Sequence, residues 1–196
     1  MHFETIRDLN NALRVLYAKD DIHDLVFGDG PVPCRIMIAG EAPGADEIRT
    51  GRPFTGQAGR NFDGFLEKLG LTRDDIYIGN TCKFRPFRVS DKGTTANRPP
   101  TTAEVRRAMP YLHEEVRLVN PTLLITLGNT PLHACTGDFA LRVGDVHGRV
   151  LPQLVLHGVP LFALYHPASI IYSPGLRETY EEDLASLRAY LDAAGL

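Results

Sequence analysis

Apolar residues recur along this chain in two patterns. Short, largely apolar runs stand at residues 35–39, 75–81, 121–128 and 161–165, each of a length that suits a buried strand. Between and around them the apolar positions fall at helical spacing. In residues 3–18 they are Ile6, Leu9, Leu13, Val15 and Leu16. In residues 59–69 they are Phe62, Phe65, Leu66 and Leu69, and Gly70 supplies the stop. Residues 102–118 predict a helix capped by Thr101 or Thr102, with Glu104 in its first turn. Residues 129–137 predict a short helix and residues 178–194 an amphipathic one. Residues 146–157 alternate and carry Gly148 and Pro152, which predicts a β-hairpin.

Strands alternating with helices imply parallel pairing through right-handed crossovers. The fold expected is an α/β class, a three-layer α/β/α sandwich around a central four-stranded parallel sheet, with residues 1–196 forming one domain. In such a fold every strand leaves the sheet at the same edge, where ligands bind. That edge collects Glu41 after the first strand, Asn80 at the end of the second, the Gly128-Asn129 turn after the third and His166 after the fourth. Each residue has an ordinary structural use, as a turn former, a cap or a loop histidine. Their joint placement makes a site. The loop after the first strand, from Gly40 to Gly59, adds a second acid, Glu47, and an aromatic, Phe54.

Charge and composition narrow the picture. Net charge is −3, so any surface for a polyanion must be local. Residues 82–100 hold Lys83, Arg85, Arg88, Lys92 and Arg98 with Phe84 and Phe87 interleaved, a pattern suited to nucleic-acid contact. A structureless segment of that length points the same way. No apolar run reaches the ~20 residues of a membrane helix, and the first residues lack the apolar stretch of a signal peptide. The three cysteines, Cys34, Cys82 and Cys135, are odd in number and form no CxxC pair. Reduced cysteines of this kind fit a cytoplasmic protein without a disulfide framework or a structural zinc.

Six motifs occur in one order: Gly40-Glu-Ala-Pro-Gly44, Gly51-Arg-Pro-Phe54 with Gly56-Gln-Ala-Gly59, Tyr77-Ile-Gly-Asn80, Asn97-Arg98 before Pro100-Thr101, Thr126-Leu-Gly128 and His166-Pro-Ala168. Together, over residues 35–183, they resemble the uracil-DNA glycosylase superfamily, and within it family 4. The resemblance implies removal of uracil from DNA, with a flipped base and hydrolysis of the N-glycosidic bond. It implies Phe54 stacking on the base, Asn80 reading its O4 and N3–H edge, and His166 stabilising charge on O2. Glu41 and Glu47 then serve water and the sugar cation, with their division of labour open. Gly40 and Ala42 then belong to the pocket, and backbone N–H groups of residues 40–44 and 128–129 hold pocket groups or phosphates. Arg85 lies near the pocket or the DNA backbone, and Ile170 with Ile171 supplies an apolar wedge.

The chain departs from family 4 at the cysteines that hold a 4Fe–4S cluster. The N-terminal pair is absent, Lys83-Phe84-Arg85-Pro86 stands where the family has Lys-Cys-Arg-Pro, and Ala108 precedes Met109-Pro110-Tyr111-Leu112 where the family has a cysteine. The expectation is therefore no cluster, no metal and no other cofactor. The expected partner is DNA containing uracil or another damaged base, bound by a monomer, with no membrane. Two other readings accompany this one: a same-fold glycosylase for another deaminated base such as hypoxanthine, and a non-catalytic DNA-binding relative.

Overall fold

The computed structural model describes residues 1–169 and 173–196. The elements in chain order are α1 (Ile6–Ala18), β1 (Ile36–Gly40), α2 (Ala45–Thr50), α3 (Gln57–Leu69), β2 (Ile76–Asn80), β3 (Phe87–Val89), β4 (Thr95–Asn97), α4 (Thr102–Val119), β5 (Leu123–Leu127), α5 (Asn129–Thr136), α6 (Val143–Val146), β6 (Val150–Leu156), β7 (Val159–Leu164) and α7 (Arg177–Ala194).

The main sheet has the order β2-β1-β5-β7-β6. Its first four strands are parallel, as the apolar runs predict, with Gly40 opposite Asn80, Ala39 opposite Thr126 and Leu127 opposite Leu164. The fifth strand corrects the expected count of four. β6 runs antiparallel to β7, and the two are joined through His157 and Gly158, both at positive φ (54° and 82°). Two left-handed residues suit the twist of a tight hairpin. The hairpin foreseen at residues 146–157 is thus β6 plus β7, shifted by one strand, because its second arm is also the predicted fourth strand.

Side chains alternate across the parallel strands into two cores. Ile36, Ile38, Ile76, Ile78, Ile125 and Phe162 pack with Phe62, Phe65 and Leu69 of α3 and with Leu184, Leu187 and Leu191 of α7. Met37, Ala39, Tyr77, Leu124 and Leu161 pack on the other face with Leu112 and Val116 of α4 and Leu132 of α5. Helices on both faces make the three layers. A third cluster joins Leu9, Leu13 and Tyr17 of α1 to Cys82, Phe84 and Ala108.

Local chemistry sets the helix ends. Thr101 Oγ1 accepts from Glu104 N (3.2 Å) and the Glu104 carboxylate accepts from Thr101 N (2.6 Å), a reciprocal cap that starts α4. Gly70 ends α3 at φ 67°. Two short helices, α2 and α6, were not legible in the sequence, since four to six residues hold no period. The segment 82–100 is not one irregular loop. It begins buried at Cys82–Phe84 and then forms the β3–β4 hairpin.

Candidate active site

The loop after β1 is held by a carboxylate. Glu47 accepts from Gly44 N (2.6 Å) through one oxygen and from Phe54 N through the other. Arg73, just before β2, donates to the carbonyls of Pro53 (3.3 Å) and Phe54. Its Nε rests on Asp63 (2.9 Å). Phe54 is thereby fixed at φ 54°, a left-handed backbone that a bulky residue adopts only under constraint. Its ring packs on Phe62 at 4.8 Å between centroids. A Cβ on Gly40 would lie 2.4 Å from Asn80 Oδ1 and 2.7 Å from the tip of Phe54, so only glycine lets these groups meet.

Asn80 is 2% exposed, and its Nδ2 has no hydrogen-bond partner among the described residues. A buried donor left open costs free energy, so it points to a ligand acceptor. Behind it lies a charge pair absent from the sequence reading. Lys83 Nζ donates to the Asn80 carbonyl (2.8 Å) and to Glu115 Oε2 (2.6 Å), while Tyr77 Oη donates to Glu115 Oε1 (2.8 Å).

Glu41, half-buried, accepts from Thr130 Oγ1 of α5 at 2.6 Å. Among the described residues its other oxygen takes no hydrogen bond. His166 lies beside Phe54, its ring centre 6.1 Å away and inclined by 26°. A Cβ on Gly128 would lie 3.6 Å from its Cβ. Desolvation pushes the imidazole down to about 4, so it is neutral near pH 7. The Ala168 N–H donates to Nδ1 (3.1 Å), which leaves the neutral ring's proton on Nε2. The edge therefore brings together an aromatic ring, a buried amide without a partner among the described residues, a carboxylate and a neutral N–H donor.

The other predicted site residues take the following places. Glu47 is engaged at both oxygens by backbone amides, those of Gly44 and Phe54. Gly44 N is taken by Glu47 and Gly128 N by the Leu164 carbonyl (2.8 Å), so neither is free for a phosphate. Ala42 packs against the α1 cluster. Lys83 is buried, and Arg98 is held by both oxygens of Glu104 (2.7 and 2.8 Å), which lowers that carboxyl to about 2; neither cation belongs to an open basic surface. Arg85 donates to Asn97 Oδ1 (2.6 Å) and lines a cleft of about 440 Å³ with Ile48, Phe84 and Phe87. Ile170 and Ile171 lie outside the described residues. Thr130 and Arg73 were missed because their partners are remote in sequence.

The cysteines do not suit an iron–sulfur cluster. A 4Fe–4S cluster takes four thiolates, yet the chain has three cysteines, and among the described residues no group of three or more His, Cys, Asp or Glu gathers to hold a metal. Cys34 Sγ donates to the carbonyl of Ile36 (3.4 Å). Phe84 and Ala108, at two positions where the resemblance expects ligands, are both buried, and Phe84 packs on Tyr17 at 5.2 Å. Protein purified without oxygen is expected to be colourless and to lack iron and sulfide on elemental assay. Stoichiometric iron and sulfide would overturn this.

A mostly parallel α/β sheet thus carries these groups at the carboxyl edge of its parallel strands. The profile of the Uracil DNA glycosylase superfamily matches residues 27–190, and the chain belongs to that superfamily. It is 37% identical over 164 residues to the type-4 uracil-DNA glycosylase of Pyrobaculum aerophilum, covering 82% of this chain and 80% of the relative. The type-4 enzyme of Archaeoglobus fulgidus is 35% identical over 178 residues, covering 86% and 85%. Among solved structures, SMUG2 of Pedobacter heparinus superposes with a TM-score of 0.61 at 14% identity, over 98% of this chain and 86% of that one, a likeness of fold.

Proposed function

We propose that this protein is a DNA glycosylase that removes uracil from DNA, the first step of base excision repair. The observation that carries the reading is the buried Asn80 amide, without a partner among the described residues, beside the ring of Phe54. Uracil presents the matching edge: O4 accepts from Nδ2, and N3–H donates to Oδ1. Cytosine, with a donor at position 4, opposes it.

The uracil lies on Phe54 after leaving the base stack. The bond between N1 and the sugar C1′ breaks, and its electron pair leaves with the base. Negative charge grows on O2, where His166 donates through Nε2–H. A neutral donor suits this task, since a proton on both nitrogens would carry the desolvation cost of charge before the reaction. Glu41, oriented by Thr130, faces the sugar with its open oxygen. It takes a proton from the water whose oxygen bonds to C1′. Glu47 and Arg73 act through the backbone by holding Phe54. Among the described residues no helix is long and apolar enough to cross a membrane, which agrees with a repair enzyme that meets DNA in solution.

The test is a panel of duplex oligonucleotides with one uracil, hypoxanthine, xanthine or thymine lesion, treated with alkali to break abasic sites. Strand breakage at uracil is expected. Breakage at hypoxanthine alone would move the assignment to a different base, and breakage at none would leave a DNA-binding relative.

A further inference from the structure

The β3–β4 hairpin is built unlike the rest of the molecule. Every residue of Phe87–Val89 and of Thr95–Asn97 is exposed. The register pairs Phe87 with Asn97, Arg88 with Ala96 and Val89 with Thr95. Phe87 and Val89 therefore share one face and Arg88 takes the other. Phe87 is 49% and Val89 61% exposed, two of the five large apolar side chains left open among the described residues. A two-stranded ribbon open on both faces gains little from burial. Its tip is nevertheless ordered by Ser90 N to the Thr94 carbonyl (2.9 Å), Gly93 N to the Ser90 carbonyl (2.8 Å) and a hydroxyl pair, Ser90 with Thr94 (2.6 Å).

The apolar face turns toward the loop after β1 and α2, where Phe87 shares a cleft with Ile48. Asn97, opposite Phe87, is bonded by Arg85, and a Cβ on Gly44 would lie 3.2 Å from Asn97 Nδ2. Gly44 belongs to the loop that Glu47 pins. The Arg85 guanidinium lies 5.8 Å from the centre of the Phe87 ring. An aromatic ring with an arginine beside it is a stacking surface for a nucleobase. Arg88 and Lys92 have no ion-pair partner among the described residues, unlike Lys83 and Arg98. The far wall of the cleft carries Asp21 and Asp24, which repels phosphate there and directs it to the hairpin's outer face.

We propose that the β3–β4 hairpin is a DNA-binding arm. Phe87 stacks on a base exposed beside the lesion, and Arg88 and Lys92 pair with the flanking phosphates. The proposal rests on the glycosylase reading for its partner. It places the arm beside the loop that carries Glu41 and Phe54, where the strand carrying the flipped nucleotide must pass.

The experiment measures binding of the full-length protein to an oligonucleotide with a tetrahydrofuran abasic analogue, by fluorescence anisotropy from 50 to 200 mM salt. Phe87→Ala is expected to weaken binding about 5- to 150-fold, the range of one lost base–aromatic stack, and Phe87→Tyr to retain it. Arg88→Glu with Lys92→Glu is expected to reduce the salt slope by about 0.7–0.9 log units for each lost phosphate contact. Melting temperatures are expected to stay at the wild-type value, because the hairpin lies off the cores. Wild-type affinity in Phe87→Ala, or a wild-type slope in the double variant, overturns the arm. The two readings fail separately. A wild-type protein that needs Phe87 for binding yet excises no base refutes the glycosylase and keeps the arm. Uracil excision with Phe87-independent binding does the reverse.

Discussion

His166→Ala is expected to slow single-turnover uracil excision by about 10²–10³-fold, the usual effect of losing one donor to developing negative charge. Affinity for uracil-containing DNA is expected to change far less, because the bond to O2 strengthens only as the base leaves. The pH dependence follows from the same ring. Its value is depressed to about 4 from an ordinary 6.5, so the Nε2–H donor is present on both sides of pH 6.5. Single-turnover rates should not fall as pH rises through 6.5, which they would if the imidazolium were the active form. Stability shows the linked effect. Between about 6.5 and 4 the unfolded chain binds a proton at this position that the folded chain does not. The contribution is present above 6.5 and is lost as pH falls toward 4. His166→Ala should therefore flatten acid destabilisation in that window. A histidine that only caps the strand exit would instead lower the melting temperature and leave chemistry near normal. Measuring both on one preparation decides between them.

The second large effect concerns Lys83 and Glu115, which are 2% and 0% exposed and 2.6 Å apart. Removing one partner leaves the other charged in a dry site. Glu115→Ala or Lys83→Ala is expected to cost about 3–5 kcal/mol in urea unfolding. Replacing both together, by Lys83→Met with Glu115→Leu, should recover much of that loss, since an apolar pair avoids desolvation. The cycle then reports a coupling energy that single substitutions cannot. Its functional consequence runs through Asn80, whose carbonyl loses the Lys83 donor. Excision by the stable double variant should discriminate uracil from cytosine less sharply than the wild type. Single variants within about 1 kcal/mol of wild type would remove the pair from this role.

The two acids of the first loop show how far the chain could be read in one dimension. Glu41 and Glu47 are the same chemistry six positions apart, and nothing local separates them. Thr130 reaches Glu41 from 89 residues away, and the Phe54 amide reaches Glu47 only because the loop folds back. Lys83 looked like its basic neighbours for the same reason: the carboxylate that permits its burial stands on α4, 32 residues on.

What the sequence by itself determined was the parallel sheet, the helices on its two faces and the meeting of Glu41, Asn80, Gly128 and His166 at one edge. Apolar period and glycine exits are local signals, and strand handedness turns them into a shared edge. The tertiary structure alone decided the fifth strand, the left-handed Phe54, the tautomer of His166, the buried Lys83–Glu115 pair and the exposed face of the β3–β4 hairpin. Each of these depends on which groups meet across long sequence separations. Burial and hydrogen bonding act through space, and only the folded chain brings those partners within reach of one another.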